Sequence, residues 1–371
     1  MTVPGVLLES SARMSWAWAG LRVSPAPKLA DTRAYADVAE PQRRAQTTAR
    51  ERAWLAGQWT TESQARWELR FGNDPATRLV SCTLLARVQD TDPRLAEQAA
   101  VRLRDRLAAA PAHVLTEPVL DEHEISHRLV PGPLDGRGSF EVRKRLSWAT
   151  CSRRDTGRQV CFAVSPLVPE DRSWEPLWHE LARLPQPTVL SVYLEPYAPS
   201  PGLIGGLRRL VEEYDHLARP GFANPIWPVP PAPDRFAERA APLYARAAAR
   251  YTGGLCFRTR VSVASSGPVP YGFAELLADT VGGGVACQPP AAELDAAWRN
   301  LAALNRDWLD QSYRQGAPAG SLRDTERVLC DLCDLDEAAA AFRLPYEVPG
   351  HLPLFETAGR RRRPGTTTAE R

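Results

Sequence analysis

Lysine is nearly missing from this chain: of 46 basic residues only Lys28 and Lys144 are lysines, and the rest are arginine. That scarcity excludes several kinds of chemistry. A phosphate-cradling P-loop needs Gly before its Lys and Ser or Thr after it. Lys28 stands between Pro27 and Leu29, and Lys144 between Arg143 and Arg145, so neither fits. The Ser-x-x-Lys nucleophile pattern fails on the same two residues, and no serine occupies the centre of a G-x-S-x-G elbow. Long apolar runs are missing too, none approaching the roughly 18 residues of a spanning helix. The first twenty residues have no basic n-region and are broken by Glu9, Ser10, Ser11 and Arg13, which argues against a signal peptide.

Net charge is also low, at +2, and gives no global pull toward nucleic acid or membrane. The seven cysteines are an odd number, and most sit in or beside apolar strand-like runs. They read as reduced thiols of a cytoplasmic protein rather than a secreted disulfide framework. What the chain does have is 371 residues, 44% of them apolar, enough to bury a core without staples. Its 34 prolines are about twice the usual share and are spread along the chain.

The pattern predicts an α+β fold with duplicated hairpin–helix–strand units, antiparallel or mixed sheets and a helical C-terminal part. Residues 1–62 are a lead-in with one helix after Pro41. In region 63–219, Trp67, Leu69 and Phe71 alternate in a strand, GNDPAT turns into LVSCTLLARV, and Asp92-Pro93 opens a helix striped by Leu95, Ala99, Leu103 and Leu107. A second hairpin pairs Phe140, Val142, Leu146 and Trp148 with Val160, Phe162 and Val164, followed by a Trp-rich helix and the strand TVLSVYLEPY. Residues 220–234, rich in proline, form a linker or insertion. A helix and a third alternating strand fill 235–290, with Gly282-Gly283-Gly284 as a turn. Region 291–343 is helical, with Leu294, Trp298, Leu301, Leu304 and Trp308 on one face, and 344–371 is a tail whose end is disordered.

The one named catalytic motif is His123-Glu124-Ile125-Ser126-His127. On a helix, His123 and His127 share a face where they could hold zinc while Glu124 polarises its water. Pro118 and Pro131 keep that helix short, and Asp121 and Glu122 mark it as solvated. The metzincin third ligand is missing, so Glu170, Glu175 or His179 would have to reach it through the fold. The favoured assignment is a surface helix or loop with no catalytic, cofactor or metal role, and zinc is the alternative. Cys330 and Cys333 form a lone C-x-x-C expected in a buried helix with Val328, Leu329, Leu332 and Leu335, and Trp174 and Trp178 are read as core. Arginines recur at alternate strand positions: Arg66 and Arg70, Arg143 and Arg145, Arg258 and Arg260. They read as a solvated sheet face, or else as a surface for nucleic acid or an acidic partner. Arg360 to Arg363 would add salt-sensitive phosphate attraction.

Two late segments, RYTGGLCFRTRVSVASSGPVPYGFAELLADTVGG and AAAAFRLPYEVPGHLPLF, resemble the non-catalytic N-terminal region of HerA-type and type IV secretion-like ATPases. RWELRF, VSCTLLARV and TVLSVYLEPY fit the same pattern, so the resemblance spans roughly residues 60–350. Its sharpest run is Phe342-Arg343-Leu344-Pro345, which in that family ends the lead-in module before a P-loop motor. The resemblance implies a motor-less paralogue or an accessory subunit beside a separately encoded P-loop ATPase, with no catalytic residue to carry over. Expected contact residues are Phe342, Arg343, Leu344, Pro345, Arg143, Arg145, Arg258 and Arg260. DNA is a further expected partner, self-association is left open, and membrane insertion is not expected.

Overall fold

The alternation at Trp67, Leu69 and Phe71 builds the central strand pair of the molecule. The computed structural model describes residues 4–26, 35–132, 135–168, 172–223, 229–348 and 351–357. In chain order these form β1 (Val6–Ser10), β2 (Ser15–Pro25), α1 (Glu40–Gln58), β3 (Arg66–Asp74), β4 (Leu79–Asp90), α2 (Pro93–Ala108), β5 (Val114–Val119) and α3 (Glu122–Leu129). There follow β6 (Phe140–Arg143), β7 (Leu146–Thr150), β8 (Val160–Val164), α4 (Glu175–Arg183), β9 (Thr188–Tyr197), α5 (Pro201–Leu217), α6 (Arg235–Tyr251), β10 (Cys256–Ser265) and α7 (Tyr271–Thr280). The last elements are β11 (Val285–Cys287), α8 (Leu294–Ala302), α9 (Asp310–Tyr313), α10 (Asp324–Leu329), β12 (Leu332–Asp334) and α11 (Leu335–Ala341). The fold is α+β. Among the described residues, ten strands join one antiparallel sheet in the order β1-β2-β4-β3-β9-β10-β6-β11. β5 lies beside the second half of β2 and β12 beside the start of β10.

Period two gives this sheet two unlike faces. One carries Trp67, Leu69, Phe71, Leu190, Val192, Leu194, Phe257, Val261 and Val263, all buried under α1, α2, α4, α7 and α11. The other carries Arg66, Glu68, Arg70, Arg87, Tyr193, Arg258, Arg260, Glu141 and Arg143, and these are buried as well. Trp18, Leu85, Ile125, Leu129 and Leu304 supply the apolar part of that second face, which places α3 and the chain after α8 over it. A further core joins α5, α6, the β7–β8 pair and the segment around α10.

Both hairpin–helix–strand successions form, β3-β4-α2-β5 and β7-β8-α4-β9, but they occupy different places. β9 enters the middle of the large sheet between β3 and β10, whereas β5 ends at its margin. The strand expected through Phe140 and Trp148 breaks at Lys144-Arg145: β6 stays in the large sheet and β7 leaves it to pair with β8. Buried Lys144 sits at the break, its ammonium donating to the Tyr251 hydroxyl at 2.8 Å and pairing with Glu337 at 2.9 Å. On α2 the stripe is Ala96, Ala99, Ala100, Leu103 and Leu107, while Leu95 is 47% exposed in the first turn. Asp92 caps that helix as expected, accepting from the Arg94 amide. The Gly282-Gly283 turn is real, with φ of 108° and 84°. A Cβ at Gly282 would meet the Val168 backbone at 2.8 Å.

Region 291–343 departs from a continuous helical pattern. α8 stops at Ala302 and Leu304 takes a left-handed φ of 51°, so Trp308 does not continue the α8 face. Cys330 and Cys333 do not share a helix either: Cys330 follows α10 and Cys333 lies in β12, paired with Phe257 of β10. Both are buried. Beyond the FRLP run the chain folds back, and Phe355 bridges Val80 and packs against Trp178 and Phe71. Glu170 and Arg360 to Arg363 lie outside the described residues. Among those described, no helix is long and apolar enough to cross a membrane.

Candidate functional site

Three separated pieces of chain meet where α1 passes the start of α4. Pro41 lets α1 begin, and its first turns carry Arg44, Thr47 and Thr48 on the side facing α4. Trp174 and Trp178, four residues apart, turn inward from α4 with ring centroids 6.0 Å apart. The run after α11 closes the third side with Arg343, Leu344 and Tyr346. Between them lies a cleft of about 220 Å³ that also takes in Arg172, Ser173 and Glu175.

The 342–345 run holds this cleft rather than projecting from the molecule. Phe342 is buried and stacks on Trp54 of α1, centroids 6.2 Å apart. Leu344 and Pro345 are buried too. Arg343 is half-buried, its Nε donating to Glu51 at 2.7 Å and its Nη2 to the Thr48 hydroxyl at 2.5 Å. Glu51 also meets His113 Nε2 at 2.8 Å, so one buried carboxylate joins the FRLP run, α1 and the lead into β5.

The rim is a charge lattice. Arg44 donates to Glu175 at 2.6 Å, to Ser173 at 2.8 Å and to Glu40 at 3.2 Å. Burial opposes the charge on Glu175, yet hydrogen bonds from His351 and Arg44 offset that and hold its carboxyl below the ordinary range. Arg172 pairs with Asp279 at 2.9 Å, and Tyr346 donates to Glu40 at 2.9 Å. Arg44, Arg172 and Arg343 thus each face a carboxylate of the protein itself, and Arg44 also lies 6.0 Å from the Tyr346 ring centroid.

The HEISH residues lie elsewhere. They form α3, capped by Asp121, whose carboxylate accepts from the His123 amide. Ile125 and Leu129 face inward, while His123 and His127 are exposed. Glu124 is held by Arg22, which donates from Nε at 2.8 Å and also from Nη2, and Arg128 stands 3.7 Å away. A glutamate bound this way is occupied as an ion-pair partner. Glu175 and His179 sit on α4, across the sheet from α3, and are not brought to the two histidines.

The strand arginines are not a solvated face. Arg260 and Arg70 converge on Glu68 at 2.5 and 2.7 Å, and Arg258 is bidentate to Asp331, with one contact at 2.7 Å. Arg143 lies 3.8 Å above the Tyr313 ring and within 3.6 Å of Glu141. Arg143, Arg258 and Arg260, expected as contact residues, are therefore buried, engaged with Tyr313, Asp331 and Asn305 respectively. Arg145, past the end of β6, is exposed. The sequence offered one signal for this burial: Glu68 and Glu141 sit among the arginines as alternate strand residues. The convergence of α1, α4 and the FRLP run left no local signal, since its parts are more than a hundred residues apart. No family model matches the chain, and no curated protein matches it.

Proposed function

We propose that this protein is a non-enzymatic adaptor that works beside a separately encoded translocating ATPase of the HerA or type IV secretion-like kind. The reading rests on the resemblance carried by residues 342–345 together with one observation: that run forms a wall of a cleft instead of being spent wholly inside the core. Arg343 and Leu344 line it with Arg44, Arg172, Trp174 and Trp178. The partner segment this cleft suits is extended, with an apolar anchor seated against the Trp174, Trp178 and Leu344 wall and acidic side chains competing for Arg44 and Arg172 at the rim.

The test is co-purification from the native host with mass spectrometry of what is retained. Thr48→Trp fills the cleft from a half-buried position on α1, and Arg172→Glu reverses charge at its rim. A P-loop ATPase should be recovered with the wild type and reduced about tenfold, ~1.4 kcal/mol of binding, in either variant. Recovery of no such ATPase with the wild type would sink the proposal. Undiminished recovery in both variants would move the docking surface away from the cleft.

A further inference from the structure

The β7–β8 pair and the start of α6 assemble a second cluster that owes nothing to the cleft. In the antiparallel register Thr150 faces Val160 and Ala149 faces Cys161. The Cys151 amide donates to Gln159 at 2.8 Å and carries the ladder one residue further. Cys151 and Cys161 thus point to one side of the hairpin as diagonal neighbours. Asp234 reaches them from the N-cap of α6. One ligand atom from each of Cys151, Cys161 and Asp234 lies within 4.8 Å of the other two. Among the described residues, no other three Cys, His, Asp or Glu side chains converge in this way.

We infer that Cys151, Cys161 and Asp234 bind a thiophilic divalent cation, zinc by preference, with water completing a four-coordinate site. Two thiolates and a carboxylate are a donor set that selects zinc over magnesium or calcium. Zinc–sulfur bonds of about 2.3 Å and zinc–oxygen bonds of about 2.0–2.2 Å place tetrahedral ligands roughly 3.5–3.8 Å apart, inside the observed limit. The carboxylate is already oriented: Asp234 Oδ1 accepts from the amides of Phe236 at 3.0 Å and Ala237 at 2.8 Å. Its Oδ2 accepts from the Ser152 amide and the Ser152 hydroxyl, each at 2.7 Å. Such hydrogen-bonded carboxylates are what outer-shell design around metals provides. Of the four donors only the Ser152 hydroxyl turns freely, so its rotation frees the lone pair that a metal needs. Binding releases the two thiol protons to solvent.

The consequence is a staple. Asp234 closes the proline-rich segment, and its amide donates to Leu217 at the end of α5 at 2.9 Å. A cation here ties the hairpin tip to the junction of α5 and α6. This site, rather than α3, is where zinc should be found.

Elemental mass spectrometry of tag-free protein, purified under reductant without chelator and then supplied with zinc and desalted, is the direct test. About one zinc per chain is expected. Cobalt substitution should give a sulfur-to-metal charge-transfer band, which distinguishes thiolate from histidine ligation. Cys151→Ser, at a half-buried position, and Asp234→Asn, which keeps an N-cap oxygen, should each lose the ion and the band while remaining folded by circular dichroism. His123→Ala should keep both. Protein that holds no zinc, or zinc that survives Cys151→Ser and Asp234→Asn, would overturn the inference. Loss confined to His123→Ala would also overturn it and transfer the metal to α3.

Discussion

Glu68 is a carboxylate with no access to solvent, and it accepts from Arg70 on its own strand and from Arg260 across the sheet. Removing one member of a buried ionic group leaves the others charged, unpaired and desolvated, at a cost of about 3–5 kcal/mol. Glu68→Gln should therefore lower unfolding free energy by roughly that amount in urea titration. Joint replacement of Glu68, Arg70 and Arg260 by apolar residues of similar volume should cost less than the single change, because no orphaned charge remains. A Glu68→Gln variant as stable as the wild type would show that the cluster contributes nothing net. The apolar half of β3 was legible in its alternation. The charged half was misread as solvated, because period two says that Arg66, Glu68 and Arg70 share a face but not what covers it. The cover comes from α3 and from chain near residue 304, which no local pattern links to β3.

At the scale of elements, the strap after α8 shows how that face is closed. Four arginines donate to carbonyls at the end of α8 and just beyond it. Arg70 donates to Leu301 and Arg87 to Ala303, Arg66 reaches Leu304 at 3.5 Å, and Arg260 donates to Asn305 at 2.7 Å. Asn300, fully buried, then fixes the return, its Nδ2 donating to the Asp307 carbonyl at 2.9 Å and its Oδ1 accepting from the Asp307 amide at 2.7 Å. The sequence extended one helical face through Leu304 to Trp308 because no glycine or proline interrupts it. The true stop is tertiary, supplied by strand arginines from distant parts of the chain. Asn300→Ala strips both bonds from Asp307 and should cost about 1–3 kcal/mol. Hydrogen exchange should quicken at residues 301–309 and stay slow in β3, β9 and β10. Uniform loss of protection would mean that the strap does not open on its own.

At the scale of the whole molecule, the buried thiols and the paired carboxylates set opposite limits on stability with pH. Burial opposes the charge on Glu195, but Arg306 and Arg66 offset that and hold its carboxyl below the ordinary range, as His351 and Arg44 do for Glu175. A depressed carboxyl contributes stability that is present above its unfolded value, near 4.3, and is lost as pH falls through the lower folded value. The thiols act on the alkaline side. Burial pushes Cys330 and Cys333 up to about 12, and Cys256 and Cys287 up to about 11. An unfolded thiol loses its proton near 8.5. Between that value and the folded ones the native chain binds more protons than the unfolded chain, so stability falls as pH rises. Between about pH 8.5 and 10 few other groups titrate in either state, since Tyr and Lys begin near 10 even when unfolded. The urea midpoint, measured under reductant, should therefore decline from about pH 8.5 to 10. Replacing Cys256 and Cys287 by Ala should flatten that decline, because each thiol removed takes its proton difference with it. A midpoint that does not move between pH 8 and 10 would mean that the native thiols ionise as readily as unfolded ones. In that case the four cysteines could not be sealed in the core as their burial requires.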